Sequence, residues 1–192
     1  MKPPVHLHPG DYFVSGEEIV ISTILGSCVS ACLYDPIRRI VGMNHFLLSS
    51  RRYSKGLPYY KTDAGRYGIH AMELVINGML ALGARKSNLQ CKSFGGASLF
   101  RRTPGADNFL CVGEVNERFI KAFLREEGIP LVSEDLGGKQ GRVIRFHADD
   151  FSVYVKKIKS TVNPKLGSRE RQYWQSAIER QEKKTSLADL WE

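Results

Sequence analysis

A cysteine set in a glycine turn, Leu25-Gly26-Ser27-Cys28-Val29, is followed seventeen residues later by His45. A thiol is a useful nucleophile only as its thiolate, so it needs a backbone turn that presents it and an imidazole that takes its proton. Gly26 and His45 could supply both. The same residues also fit a buried cysteine beside an unrelated histidine, because reactive-cysteine signatures do not transfer between families. Gly26-Ser27-Cys28 is half of a G-x-nucleophile-x-G elbow, with Ser30 where the second glycine belongs, which disfavours an α/β-hydrolase. Cys28 and Cys32 form a C-x3-C pair that would share a strand face, but no second pair has zinc-ligand spacing, so no metal is expected. Gly95-Gly96 follows an extended run without the Lys and Ser/Thr of a phosphate-binding loop, and close backbone packing is the expected role.

The elements that must position the pair are short strands. Glu18 to Leu25 is apolar and β-branched and ends in Gly26-Ser27, which places Cys28 just past a strand end. Val29 to Tyr34 is a second extended run, closed by Asp35-Pro36, and Ile40 to Leu48 is a third that brings His45 back alongside. The polar stretch with Ser49, Ser50, Ser54, Gly56 and Pro58 is expected to be a mobile loop able to contact a substrate.

Helical periodicity runs from Asp63 to Ala84, with Ala71, Met72, Val75, Met79 and Leu82 inward, Asp63 as cap, Gly83 as stop and His70 on the solvated face. Leu89 to Phe94 reads as a strand. Asn116 to Glu127 reads as a helix with Phe119, Ala122 and Phe123 inward, and Arg142 to His147 and Phe151 to Ile158 read as a hairpin. After Lys159, Asn163-Pro164 and Gly167 break the chain. Ser168 to Lys184 then reads as an appended charged helix with Tyr173, Trp174, Ala177 and Ile178 on one stripe, and Ser186 to Asp189 as a capping box for one more turn. Trp174 and Trp191 would either pack on the domain or face a partner.

At 192 residues and 42% hydrophobic content the chain can bury one sizeable core, giving a domain over 1–159 and a basic helical extension over 160–192. No apolar run with a cleavage site follows Met1, and no stretch reaches the ~18 apolar residues of a membrane span, so a cytoplasmic protein without membrane insertion is expected. Four cysteines without a secretion signal are expected to be reduced. The net charge of +8 is spread over short clusters without interleaved aromatics, which argues against nucleic acid and leaves an acidic protein partner open.

Taken together, Ser22 to Val29, Asp35-Pro36, Gly42-Met43-Asn44-His45, Phe94-Gly95-Gly96-Ala97, Gly113 with Asn116, and Glu134-Asp135 before Gly137-Gly138 and Arg142 resemble the successive motifs of the CheD family, the chemoreceptor glutamine deamidases. The resemblance runs from about Val14 to Lys157. It implies an α/β (α+β) fold, a mixed β-sheet or β-sandwich core flanked by helices and similar to the toxin-deamidase-like cysteine hydrolases. It also implies a Cys–His pair, Cys28 and His45, supported by a hydroxyl residue. That residue aligns with Ser22, with Thr23 one step later, and parity along an extended strand to Cys28 favours Ser22. Gly26, Ser27, Asn44 and Phe46 are the expected substrate contacts.

The implied reaction is hydrolysis of selected glutamine side chains to glutamate in the cytoplasmic helices of methyl-accepting chemotaxis receptors, through a thioester and without cofactor or metal. A CheC-type phosphatase is a further implied partner. Hydrolysis of glutamyl methyl esters, or a non-enzymatic module that docks on receptors or the phosphatase, are the competing readings.

Overall fold

The computed structural model describes residues 3–48, 63–99, 112–159 and 163–188. In chain order the strands are β1 (Val5–His6), β2 (Tyr12–Ser15), β3 (Val20–Leu25), β4 (Val29–Asp35), β5 (Ile40–Asn44), β6 (Gln90–Gly95), β7 (Leu131–Leu136), β8 (Arg142–His147) and β9 (Val153–Lys157). The helices are α1 (Asp63–Ala81), α2 (Val112–Glu126) and α3 (Asn163–Ala188). They form two mixed sheets, β1-β3-β8-β9 and β2-β5-β4-β6-β7, in which β1 pairs parallel with β3 and β6 parallel with β7 while the other pairs are antiparallel. This is the expected mixed sandwich flanked by helices.

Strand alternation decides the layers. Every residue of β4 is buried, which in a strand means that both faces are covered. Val29, Ala31 and Leu33 turn toward α1 and α2, where they meet Met72, Val75, Met79, Phe119 and Phe123. Cys32 and Tyr34 turn the other way, into a second core with Ile21 and Leu25 of β3 and Ile144 and Phe146 of β8. Trp174 and Ile178 of α3 join that second core. Sequence periods of two and of four residues thus meet in one interior, between the sheets.

Several expectations shift. Strands β1 and β2 were not anticipated, being short and set among prolines and a glycine. Leu82 is 51% exposed because α1 ends at Ala81; Gly83, at φ +102°, turns the chain and Ala84 takes the last buried position. Helix α2 starts at Val112, a full turn before Asn116. Helix α3 starts at Asn163, since Pro164 in a first turn forfeits only an N–H that has no intrahelical partner. It then runs unbroken through Gly167 and Ser186. The expected loop after His45 and Trp191 lie outside the described residues. His70 is exposed and Cys28, Cys32 and Cys91 are free thiols, as read from the sequence. Among the described residues no helix is long and apolar enough to cross a membrane.

Candidate active site

Between β3 and β4 the chain bends at Gly26 and Ser27 and passes through Cys28 from one sheet to the other, and three neighbours hold that turn. The carbonyl of Cys28 accepts from Gly96 N–H at 2.8 Å, and that of Gly26 accepts from Ala97 N–H at 2.8 Å. Asn116 of α2 donates to the Ser27 carbonyl at 2.8 Å and accepts from Leu48 N–H at 2.9 Å, tying the Cys28 segment to the one after His45. Gly95 is the tightest point: at φ +117° a Cβ on it would stand 2.1 Å from the Cys28 carbonyl oxygen. Gly113 plays the matching part on α2, where a Cβ would meet Gly96 O at 2.6 Å. The glycine pair is therefore a close-packing device, as the missing phosphate-loop residues imply.

His45 follows β5 and is held by the amino-terminal segment, its carbonyl accepting from Gly10 N–H and its N–H donating to Asp11 O. Its ring is buried, 2% exposed, and Nδ1 lies 2.7 Å from Thr23 Oγ1. The Thr23 hydroxyl donates its single proton to the Leu7 carbonyl at 2.7 Å, so toward His45 it can only accept. Nδ1 therefore carries the imidazole proton and Nε2 the lone pair. Nε2 has no hydrogen-bond partner and is buried. Burial drives the histidine pKa down to about 4, which keeps the ring neutral.

Both hydroxyl candidates are buried, but they face different histidines. Ser22 Oγ pairs with His6 Nδ1 at 2.6 Å, whereas Thr23 meets His45. Thr23 shares its face of β3 with Ile21 and Leu25, which line the core between the sheets; Ser22 shares the outer face with Ile24, 48% exposed. Of the expected substrate contacts, Gly26 and Ser27 stand at the turn. Asn44 instead accepts from Ala31 N–H and donates to Ala71 O, and Phe46 packs edge-on against Phe119 in the helix-side core.

A residue unforeseen from the sequence completes the site. Glu170 of α3 is 3% exposed, and its carboxylate accepts from Gly26 N–H at 2.7 Å, Ser27 N–H at 2.6 Å and Ser27 Oγ at 2.7 Å. Cys28 Sγ, a His45 ring nitrogen and a Glu170 oxygen all lie within 4.8 Å of one another. Burial first, and then the charge and hydrogen bond of Glu170, push the Cys28 thiol pKa well up. The pair thus rests as thiol and neutral imidazole. Cysteine, histidine and carboxylate are also the donor set of a zinc site, although here both carboxylate oxygens are turned to the Gly26 and Ser27 donors. The sequence did carry a signal for Glu170: it lies four residues before Trp174 and eight before Ile178, on their stripe.

The family model for CheD chemotactic sensory transduction matches residues 53–157. Over 187 residues, 97% of this chain and 93% of the relative, the sequence is 49% identical to the probable chemoreceptor glutamine deamidase CheD 1 of Geobacter sulfurreducens. The chain belongs to the CheD family. A second relative, the probable chemoreceptor glutamine deamidase CheD 2 of Shewanella oneidensis, is 48% identical over 78% of this chain and 74% of its own. The family-model match begins after Cys28 and His45, whereas the Geobacter match spans both residues and reaches into α3. The crystal structure of the Bacillus licheniformis hypothetical protein YfiH is a distant likeness, with a TM-score of 0.42 at 14% identity over 65% of this chain and 50% of the other.

Proposed function

We propose that this chain is a cysteine-dependent protein-glutamine glutaminase that hydrolyses selected glutamine side chains in the cytoplasmic helices of methyl-accepting chemotaxis receptors. Its membership of the CheD family and the names of its relatives support the substrate. One observation carries the chemistry: Thr23 engages His45 at Nδ1 and leaves Nε2 buried without a partner, while a ring nitrogen of His45 lies within 4.8 Å of the Cys28 thiol.

In this reading Nε2 takes the Cys28 proton as the sulfur attacks the glutamine Cδ carbon. The developing oxyanion needs fixed donors, and those of Gly26 and Ser27 stand beside the sulfur. His45 then returns the proton to the leaving nitrogen, the C–N bond breaks, and ammonia departs from a thioester. Water attacks the thioester with His45 as base, the C–S bond breaks, and the sulfur recovers its proton. The sum is glutamine plus water giving glutamate plus ammonia. Each glutamate adds a negative charge and a methylatable carboxylate to the receptor. Docking of a CheC-type phosphatase and a cytoplasmic location belong to the same proposal and rest on the family resemblance.

The test is mass spectrometry of a receptor cytoplasmic fragment after incubation with the full chain. Specific glutamines are expected to become glutamates, and Cys28→Ala is expected to abolish the conversion while leaving binding intact. Full conversion by the Cys28→Ala chain would sink the assignment, and a preference for the methyl ester over the amide would replace it with an esterase.

A further inference from the structure

Leu166, Glu170, Trp174 and Ile178 recur at every fourth residue of α3 and are all buried, so a carboxylate occupies the middle of an otherwise apolar stripe. A charge leaves water only where donors compensate it. Those of Glu170 are the two N–H groups and the hydroxyl of the turn that carries the nucleophile. Backbone donors aimed beside a nucleophile are what a carbonyl oxygen needs as it becomes an oxyanion. Glutamate, moreover, is what hydrolysis of glutamine leaves behind.

We propose that Glu170 is a built-in product mimic: α3 lies where the substrate segment docks, with its carboxylate in the subsite for the substrate's side-chain carbonyl, and the enzyme acts once α3 is displaced. This inference rests on the deamidase reading. It defines the displacing partner by chemistry, as an amphipathic helix with glutamine at the place of Glu170 and apolar side chains four residues to either side. It also gives Gly26 a reason, since a Cβ there would stand 2.6 Å from Glu170 Oε2 and bar a side-chain carbonyl from the same donors. A cavity of about 360 Å³ beside Glu170 is lined by Thr23 and His45 as well as by Leu166, Arg169 and Tyr173, so departure of α3 uncovers His45 and frees the donors that Glu170 holds.

Glu170→Gln in the full chain turns the mimic into a candidate substrate of nearly the same shape. The introduced amide is expected to be hydrolysed to glutamate, read by peptide mass spectrometry, and to persist when Cys28→Ala is added. In parallel, Glu170→Ala is expected to speed alkylation of Cys28 by iodoacetamide at neutral pH by about tenfold or more, by uncovering the thiol and removing the adjacent charge. Glu179→Ala, at an exposed position of the same helix, is expected to leave that rate unchanged. An introduced amide that stays intact while the same protein converts receptor glutamines overturns the product mimic and leaves the deamidase reading standing. Receptor glutamines untouched by every variant overturn the deamidase reading and the mimic with it, even if alkylation accelerates. Stoichiometric zinc in the purified chain that is lost on Glu170→Ala also overturns it, by making Glu170 a metal ligand.

Discussion

Thr23 of one sheet and His45, which follows β5 of the other, meet in a hydrogen bond of 2.7 Å, and that bond decides which imidazole nitrogen keeps its lone pair. The Leu7 carbonyl completes the logic by taking the only proton that Thr23 has to give. A residue on β3, one after β5 and a carbonyl after β1 thereby fix the tautomer of a ring beside Cys28, the residue just ahead of β4. No two of these are neighbours in the sequence.

Thr23→Val keeps the shape and removes the acceptor for Nδ1–H. Deamidation is expected to fall in kcat by about one to two orders of magnitude, part of the ~10²–10⁴ that a positioned general base contributes, with KM little changed. Thr23→Ser should restore most of the rate, and Ser22→Ala, which removes the partner of His6, should leave it within a few-fold. Steady-state kinetics on a receptor peptide separates the two hydroxyls. Equal losses for Ser22→Ala and Thr23→Val would contradict the tautomer argument.

The strands β3 to β6, the hairpin β8–β9 and the helix bodies were legible because apolar periods of two or 3.6 residues are intrinsic to each segment. Which of Ser22 and Thr23 meets His45 was legible only by the right parity. Counting from Thr23 to its apolar neighbours Ile21 and Leu25 places it in the core, whereas counting from Ser22 to Cys28 crosses the turn at Gly26 and loses the face. Strands β1 and β2 carry little period of their own; pairing with β3 and β5 makes them strands. Glu170 was hidden because a charge in a charged helix reads as solvated until the donors that meet it, 143 or more residues away, are in view.

Asn116 is the fastener between the turn and the segment after His45. Asn116→Leu removes the donor to the buried Ser27 carbonyl and the acceptor of Leu48 N–H, two buried bonds at ~1–3 kcal/mol each, so a total loss of about 2–6 kcal/mol is expected in urea unfolding. Arg118→Ala, one helical step away and exposed, should change stability by less than about 0.5 kcal/mol. An Asn116→Leu chain as stable as the parent would mean that water replaces both bonds.

Gly95→Ala meets two obstacles at one atom. The positive φ of +117° costs an L-residue ~1–2 kcal/mol, and a Cβ 2.1 Å from the Cys28 carbonyl oxygen forces the Cys28 segment away from β6 at a further ~1–3 kcal/mol. A loss of about 3 kcal/mol or more is expected, with activity lost even where the chain stays folded. Gly128→Ala serves as the control: its φ is also positive, +67°, but nothing lies within 4 Å of its Cβ position, so only the conformational cost should appear. Similar losses at the two positions would show that the close approach at Cys28 contributes nothing.

His45 sets a pH dependence whose sign follows from its burial. The unfolded chain protonates the ring near pH 6.5, while the folded chain resists until about pH 4 because a charged imidazole between the sheets is desolvated. Above pH 6.5 both states hold the neutral ring and no slope arises from it. Between pH 6.5 and 4 the unfolded state binds the extra proton, so stability falls as the solution is acidified, by about 3 kcal/mol in all at 1.36 kcal/mol per unit. The Cys28 thiol, pushed upward, stays protonated across this window and adds nothing. Carboxylates also titrate at its acid end, so the measurement is a difference. Urea unfolding of the parent and of His45→Gln, compared from pH 7 to 4.5, should show a downward slope in the parent that the variant lacks. Parallel curves for the two proteins would mean that the folded ring takes up its proton as readily as the unfolded one, and that burial does not hold His45 neutral below pH 6.5.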